Sequence, residues 1–182
     1  LAAAITLPLG ITTRAVLRLR PKPVAVATAW CGLPSYEAVT TLLRRAQARL
    51  SGGVSAFEVM WPSFVDFMMT RVPGLRAPLD TPHAFHVLME NAGTDAEHHL
   101  AAFDGFLEQM LDDGAIENAT IARSQTDALG LWALRDATSN LPTLLPGLIG
   151  FDISFAIRDI GDAAAECDAL LRAGWPGCTA LV

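Results

Sequence analysis

Arg135 is the side chain whose type and position could do chemistry. It closes the segment Leu131-Trp132-Ala133-Leu134-Arg135, and with Ala128, Leu131, Trp132 and Ser139 it follows the i, i+3, i+4, i+7 spacing of one helix face. The rest of that face is largely apolar, so the spacing points a guanidinium toward the core. Taking an always-charged group out of water is costly unless an anion meets it, and its planar fork suits a carboxylate through two parallel hydrogen bonds. An internal pair with one of the 19 Asp and Glu residues would meet that need. So would an anionic ligand, and an arginine near a helix end can also snorkel to solvent.

Histidines are the other candidates, and their spacing argues against a metal. In Glu97-His98-His99, adjacent helical positions point about 100° apart, so the two imidazoles do not easily face one ion. A solvated helix face with Glu97 in the cap is expected instead. His83 and His86 flank the start of a strand at odd spacing, which sends them to opposite faces if both are extended. Gly10, Gly52, Gly53 and Gly174 fall at breaks and form no GxGxxG or Walker loop, and neither GxSxG nor CxxC occurs. The residues thus offer no catalytic group and no metal ligand set, only a candidate anion-binding arginine.

Such a residue needs a scaffold. After Pro21-Lys22-Pro23, residues 24–31 (VAVATAWC) read as a strand. Pro34-Ser35 then open a helix with Val39, Leu42, Leu43, Ala46 and Leu50 on one face, ended by Gly52-Gly53. Residues 54–60 (VSAFEVM) alternate as a second strand, 61–79 form a proline-punctuated excursion with room for one short helix, and 85–90 (FHVLME) make a third strand. Thr94-Asp95-Ala96-Glu97 reads as a capping box for a helix that turns Leu100, Phe103, Phe106, Leu107, Met110 and Leu111 inward and stops at Gly114. Residues 115–122 supply a fourth strand. Strand, helix, strand, strand, helix, strand is the split βαβ order of a ferredoxin-like α+β domain, an antiparallel sheet with helices on one face.

Beyond it, Ser124 with Asp127 starts the helix that carries Arg135 and Ser139, and Pro142 and Pro146 interrupt the chain after that helix. Residues 150–157 read as another strand, 162–173 as another helix and 178–182 as the start of one more strand. A second unit therefore begins and is cut off, as in a duplicated domain with a truncated second copy. The expected organisation is a junction segment over 1–23 and one domain over 24–182.

Composition narrows the classes. The 182 residues suit one domain, and 52% are hydrophobic, with a mean hydropathy of +0.36. Some of that apolar surface is expected to lie against further polypeptide. The chain opens with Leu1 and stops within an apolar run at Leu181-Val182, so it reads as a piece of a longer protein. Net charge is -6 and the pI is near 5.1. Basic residues are scattered apart from the pairs Arg18/Arg20 and Arg44/Arg45, so no phosphate-tracking stripe exists and nucleic acid is not an expected partner. The apolar start, residues 1–10, is too short for a bilayer and lacks signal-peptide flanks. Cys31, Cys167 and Cys178, odd in number and set in apolar surroundings, read as reduced, buried thiols of a cytoplasmic protein.

Several segments in register resemble a known family. Leu9-Gly10-Ile11-Thr12, Ala15-Val16-Leu17-Arg18-Leu19 and Pro21-Lys22-Pro23 are similar to the junction after the flavin domain in FAD-linked oxidases of the D-lactate dehydrogenase, glycolate oxidase and D-2-hydroxyglutarate dehydrogenase group. Ser55-Ala56-Phe57-Glu58-Val59-Met60, Val87-Leu88-Met89-Glu90, Leu131-Trp132-Ala133-Leu134-Arg135 and Phe151-Asp152-Ile153-Ser154 resemble that family in the same order and at similar spacing. The resemblance covers essentially the whole chain.

It implies a FAD-dependent dehydrogenase acting on a D-2-hydroxy acid, with this chain as the ferredoxin-like substrate or cap domain over the flavin. It also implies that Arg135 binds the substrate carboxylate with help from Ser139, that Gly10 and Ile11 touch a FAD held mainly by another domain, and that a His beyond Val182 takes the hydroxyl proton. A divalent metal would likewise be bound beyond Val182, so the chain by itself is expected to be inactive. The electron acceptor is unnamed and a homodimer is left open. Where many family members carry Lys, two residues before the Asp of Phe-Asp-Ile-Ser, this chain has Gly150. That departure implies a substrate with a single carboxylate. The alternative from another class is a ferredoxin-like ligand-binding or regulatory module in which Arg135 is structural.

Overall fold

Short apolar runs, each fenced by a cap or turn, give four strands that share one antiparallel sheet. The computed structural model describes residues 13–19, 22–50 and 53–181. Gly10, Ile11, Arg20, Pro21, Gly52 and Val182 lie outside them, as does the apolar start of the chain. The strands are β1 (Ala25–Leu33), β2 (Val54–Met60), β3 (Phe85–Gly93) and β4 (Asn118–Ile121). They lie in the order β2-β3-β1-β4, and β1 pairs antiparallel with both β3 (Ala29 opposite Met89) and β4 (Ala29 opposite Ile121). This is the split βαβ arrangement that the element order implied.

Helix α1 (Tyr36–Arg49) links β1 to β2, and α3 (Ala96–Asp112) links β3 to β4. Ser35 caps α1 by accepting a hydrogen bond from the Ala38 N–H at 3.1 Å. Val39, Leu42 and Ala46 of α1 meet Phe103, Phe106, Leu107 and Met110 of α3 over Ala29, Cys31, Val87 and Met89 of the sheet. The second face is covered too. There α2 (Pro62–Arg71) and α4 (Gln125–Asp136) bury Phe64, Val65, Met68, Leu131 and Leu134 against Trp30, Met60 and Leu88. Helices on both faces, rather than one, explain why Val87, Leu88 and Met89 are all buried and why β1 lacks apolar–polar alternation.

Several expectations need correction. The cap of α3 is Asp95, which accepts from the His98 N–H, and not a Thr94–Glu97 box. Leu100 and Leu111 are exposed, because the first inward position of α3 is His99 and the stripe runs 99, 103, 106, 110. No Cβ fits at Gly93, where one would lie 2.2 Å from the His99 ring. The expected strand over 150–157 forms no ladder. Residues 150–156 adopt no regular secondary structure, with Phe151, Ile153 and Phe155 exposed, and 178–181 are likewise unpaired, so the described residues hold one sheet and no second copy of the unit. An alternating apolar pattern encodes an extended ribbon with one greasy side, but a strand also needs a neighbour for its N–H and C=O groups. Helix α6 (Ile160–Gly174) forms as expected, between α5 (Leu141–Leu144), which Pro142 begins, and the chain's end.

Candidate functional site

Helix α4 carries Arg135 across the second face of the sheet. Ser124 caps the helix by accepting from the Asp127 N–H at 3.1 Å, and the buried Leu131 and Leu134 anchor it. The spacing placed Arg135 among the core positions, yet the centre of the stripe is Leu131–Leu134 and the guanidinium lies on its flank, with its side chain 38% exposed. Arg135 Nε donates to Glu58 Oε2 at 3.1 Å, and Nη1 reaches Asp136 Oδ1 at 3.4 Å. Its guanidinium carbon sits 6.0 Å from the centre of the Trp132 ring.

The strands supply the rest of the site. Glu58 stands opposite Leu88, and Glu90 lies two positions further along β3 on the same face. Glu90 Oε1 accepts from Trp132 Nε1 at 2.7 Å and from Thr28 Oγ1 at 2.9 Å. Thr28, Glu58 and Glu90 were not singled out in the sequence. The signal for Glu58 and Glu90 is a carboxylate on a strand face that has to be covered, since a charge there needs a donor as surely as Arg135 needs an acceptor.

Ser139 is not brought beside Arg135 by a hydrogen bond. Helix α4 ends at Asp136 and the chain tightens to a 3-10 turn over Ala137–Asn140, where Ser139 Oγ donates to Asp136 O at 2.9 Å. A 3-10 turn advances about 120° per residue against about 100° in an α-helix, which rotates Ser139 further from the arginine's face than the i+4 spacing implied.

Two histidines that would face opposite ways if both were in the strand come together, because only one of them is. His83 precedes β3 rather than lying in it, and its ring stands 5.9 Å from that of His86, edge to face. His83 Nδ1 bonds Glu117 Oε2 at 2.7 Å, and Nε2 bonds Thr81 Oγ1 at 3.0 Å. The ring occupies the space beside Gly32, where a Cβ would lie 2.3 Å away. His86 Nδ1 accepts the buried indole N–H of Trp30 at 3.1 Å. Burial, then the neighbouring His83, holds the His86 pKa below its ordinary 6.5, with Asp66 opposing. The unfolded chain therefore takes up this proton more readily than the folded one, so stability is full above about pH 6.5 and falls as the pH drops below it. His86→Gln, whose amide oxygen can still accept from Trp30, should flatten that fall when melting temperatures are compared from pH 7.5 to 5.5. An unchanged slope would assign the effect to other groups.

Of the other expected features, His98 is exposed, whereas His99 is buried with Nε2 2.9 Å from Asn91 O. Among the described residues no three His, Cys, Asp or Glu side chains converge as a metal site. Only Cys31 is a buried thiol, its pKa pushed up to about 12 by burial; Cys167 and Cys178 are exposed, contrary to expectation. No described helix is long and apolar enough to cross a membrane.

Comparison with known proteins gives the same direction throughout. The family described as FAD linked oxidases, C-terminal domain, matches residues 22–179. A D-2-hydroxyglutarate–pyruvate transhydrogenase of Saccharomyces cerevisiae is 26% identical over 91% of this chain and 33% of its own length. The mitochondrial D-2-hydroxyglutarate dehydrogenase of Bos taurus is 29% identical over 90% of this chain and 30% of its own length; that of Arabidopsis thaliana is 25% identical over 84% and 27%. The chain thus spans about a third or less of these relatives. The mitochondrial names overturn the cytoplasmic expectation. Unpaired thiols separate reducing from oxidising compartments and cannot tell one reducing compartment from another.

Proposed function

Because the chain belongs to the FAD linked oxidases, C-terminal domain family, we propose that it is the substrate-binding domain of a longer FAD-dependent dehydrogenase that oxidises a D-2-hydroxy acid. The observation that carries this reading is Arg135 on the flank of α4. Its Nε is held by Glu58 while, among the described residues, Nη2 makes no hydrogen bond. A half-exposed guanidinium fixed at one edge and open at the other can clamp a carboxylate end-on. The 3.4 Å contact to exposed Asp136 is too long to compete with it.

The described glycines that adopt positive φ, Gly53, Gly74, Gly114 and Gly147, stand singly at turns rather than in a phosphate-cradling loop. In this reading the flavin, the group that accepts the hydroxyl proton and any metal are held mainly by the remainder of the longer protein. FAD would supply the two-electron acceptor, and this chain's share is to bind and orient the acid.

The charges around Arg135 bear on the substrate class. Glu58 and Asp136 already place two carboxylates beside one guanidinium, and Gly150 offers no second cation. A single substrate carboxylate is favoured; a second one would meet like charge.

The test is anaerobic mixing of the intact flavoprotein with a panel of acids while the flavin absorbance is followed. Bleaching by D-lactate or longer aliphatic D-2-hydroxy acids, faster than by D-malate or D-2-hydroxyglutarate, is the expected result. Preference for the diacids would refute the substrate class, and no bleaching by any acid would refute the activity. The pairing of Arg135 with Glu58 is also what a non-catalytic module would show, and that same experiment separates the two readings.

A further inference from the structure

We propose that Glu58 is the positioning residue for Arg135, fixing which edge of the guanidinium meets the substrate. The inference rests on the reading of Arg135 as the carboxylate clamp. An arginine offers a carboxylate two usable edges, the side edge made by Nε with one terminal nitrogen and the end edge made by Nη1 and Nη2. Glu58 Oε2, 3.1 Å from Nε, occupies the side edge. From another direction the Trp132 ring lies against the cation, and that ring is itself tied through its indole N–H to Glu90, which Thr28 also holds. Residues of β1, β2 and β3 thereby aim a long, flexible side chain that rises from a different element, and the end edge is what remains for a ligand.

Without Glu58 the guanidinium stem regains rotamer freedom and presents either edge. The acid is then bound in more than one orientation. Since transfer of the α-hydrogen depends on a narrow approach geometry, the loss falls on kcat as well as on KM.

The experiment compares Glu58→Ala, Glu58→Gln and Arg135→Lys in the intact flavoprotein, reading kcat and KM separately together with melting temperature. Glu58→Ala is expected to lower kcat/KM about tenfold with a share of the loss in kcat, and Glu58→Gln, whose carbonyl oxygen still accepts from Nε, to recover to within about threefold of wild type. Both carboxylate replacements should melt close to wild type, because the Glu58 side chain is 36% exposed. Glu58→Ala indistinguishable from wild type while Arg135→Lys is impaired overturns this inference alone. So does Glu58→Gln as impaired as Glu58→Ala, since the charge and not the hydrogen bond would then matter. Arg135→Lys at wild-type efficiency overturns the clamp, and this inference with it.

Discussion

Arg135→Lys is expected to reduce kcat/KM of the intact flavoprotein about a hundredfold, or about 2.7 kcal/mol of transition-state binding. Lysine keeps the positive charge but replaces a planar fork by a point donor, so it can neither hold Glu58 through Nε nor grip a carboxylate through two parallel bonds. Stability should barely move, because a pair with side chains more than a third exposed adds little to folding. Steady-state rates across substrate concentration and a melting curve of the same preparation check both halves. A variant that melts far below wild type yet keeps its specific activity would make Arg135 a structural residue after all.

Trp30→Ala carries the largest expected cost to the fold, about 3–5 kcal/mol. Trp30 is fully buried at the centre of the second face, with Leu88 and Met60 beside it and α2 and α4 above, and its N–H is spent on His86. Truncation opens a cavity under the helix that carries Arg135 and frees the acceptor on His86. For a domain of this size the melting temperature should drop by at least about 6 °C. Trp30→Phe keeps most of the packing but leaves His86 Nδ1 without its donor, so an intermediate loss of about 1–3 kcal/mol is expected. Denaturant unfolding of the intact protein orders the three forms. If Trp30→Ala and wild type unfold together, the second layer does not depend on this residue.

Local signals made most of the scaffold legible. Ser35 and Ser124 stand where their helices begin, and the run of residues 54–60 is the strand it was read to be. The features that stayed hidden depend on contacts between distant segments. That the sheet is covered on both faces is not written in any one window, although the unbroken apolar run of β3 hints at it. His83 and His86 meet because the strand starts at Phe85, two residues later than a face assignment for His83 would require. Residues 150–156 show the converse, a strand-like pattern with no ladder to join. The helix spacing put the Arg135 side chain deeper than it lies, on the flank of the stripe and 38% exposed. It could not reveal that Glu58, 77 residues earlier, meets it. Past Asp136 the chain switches from α to 3-10 geometry, a local change that the i+4 step to Ser139 did not include.

The place of β1 at the heart of the sheet sets a timetable for synthesis. Its partners are β3 and β4, and Ala29 waits for Ile121, about ninety residues downstream. At about 5–20 residues per second the ribosome needs roughly 5–20 s to deliver β4 after β1 has emerged, and until then one edge of β1 has no strand beside it. A ribosome paused between residues 33 and 118 would therefore display a half-built sheet in which β1 still lacks its β4 neighbour.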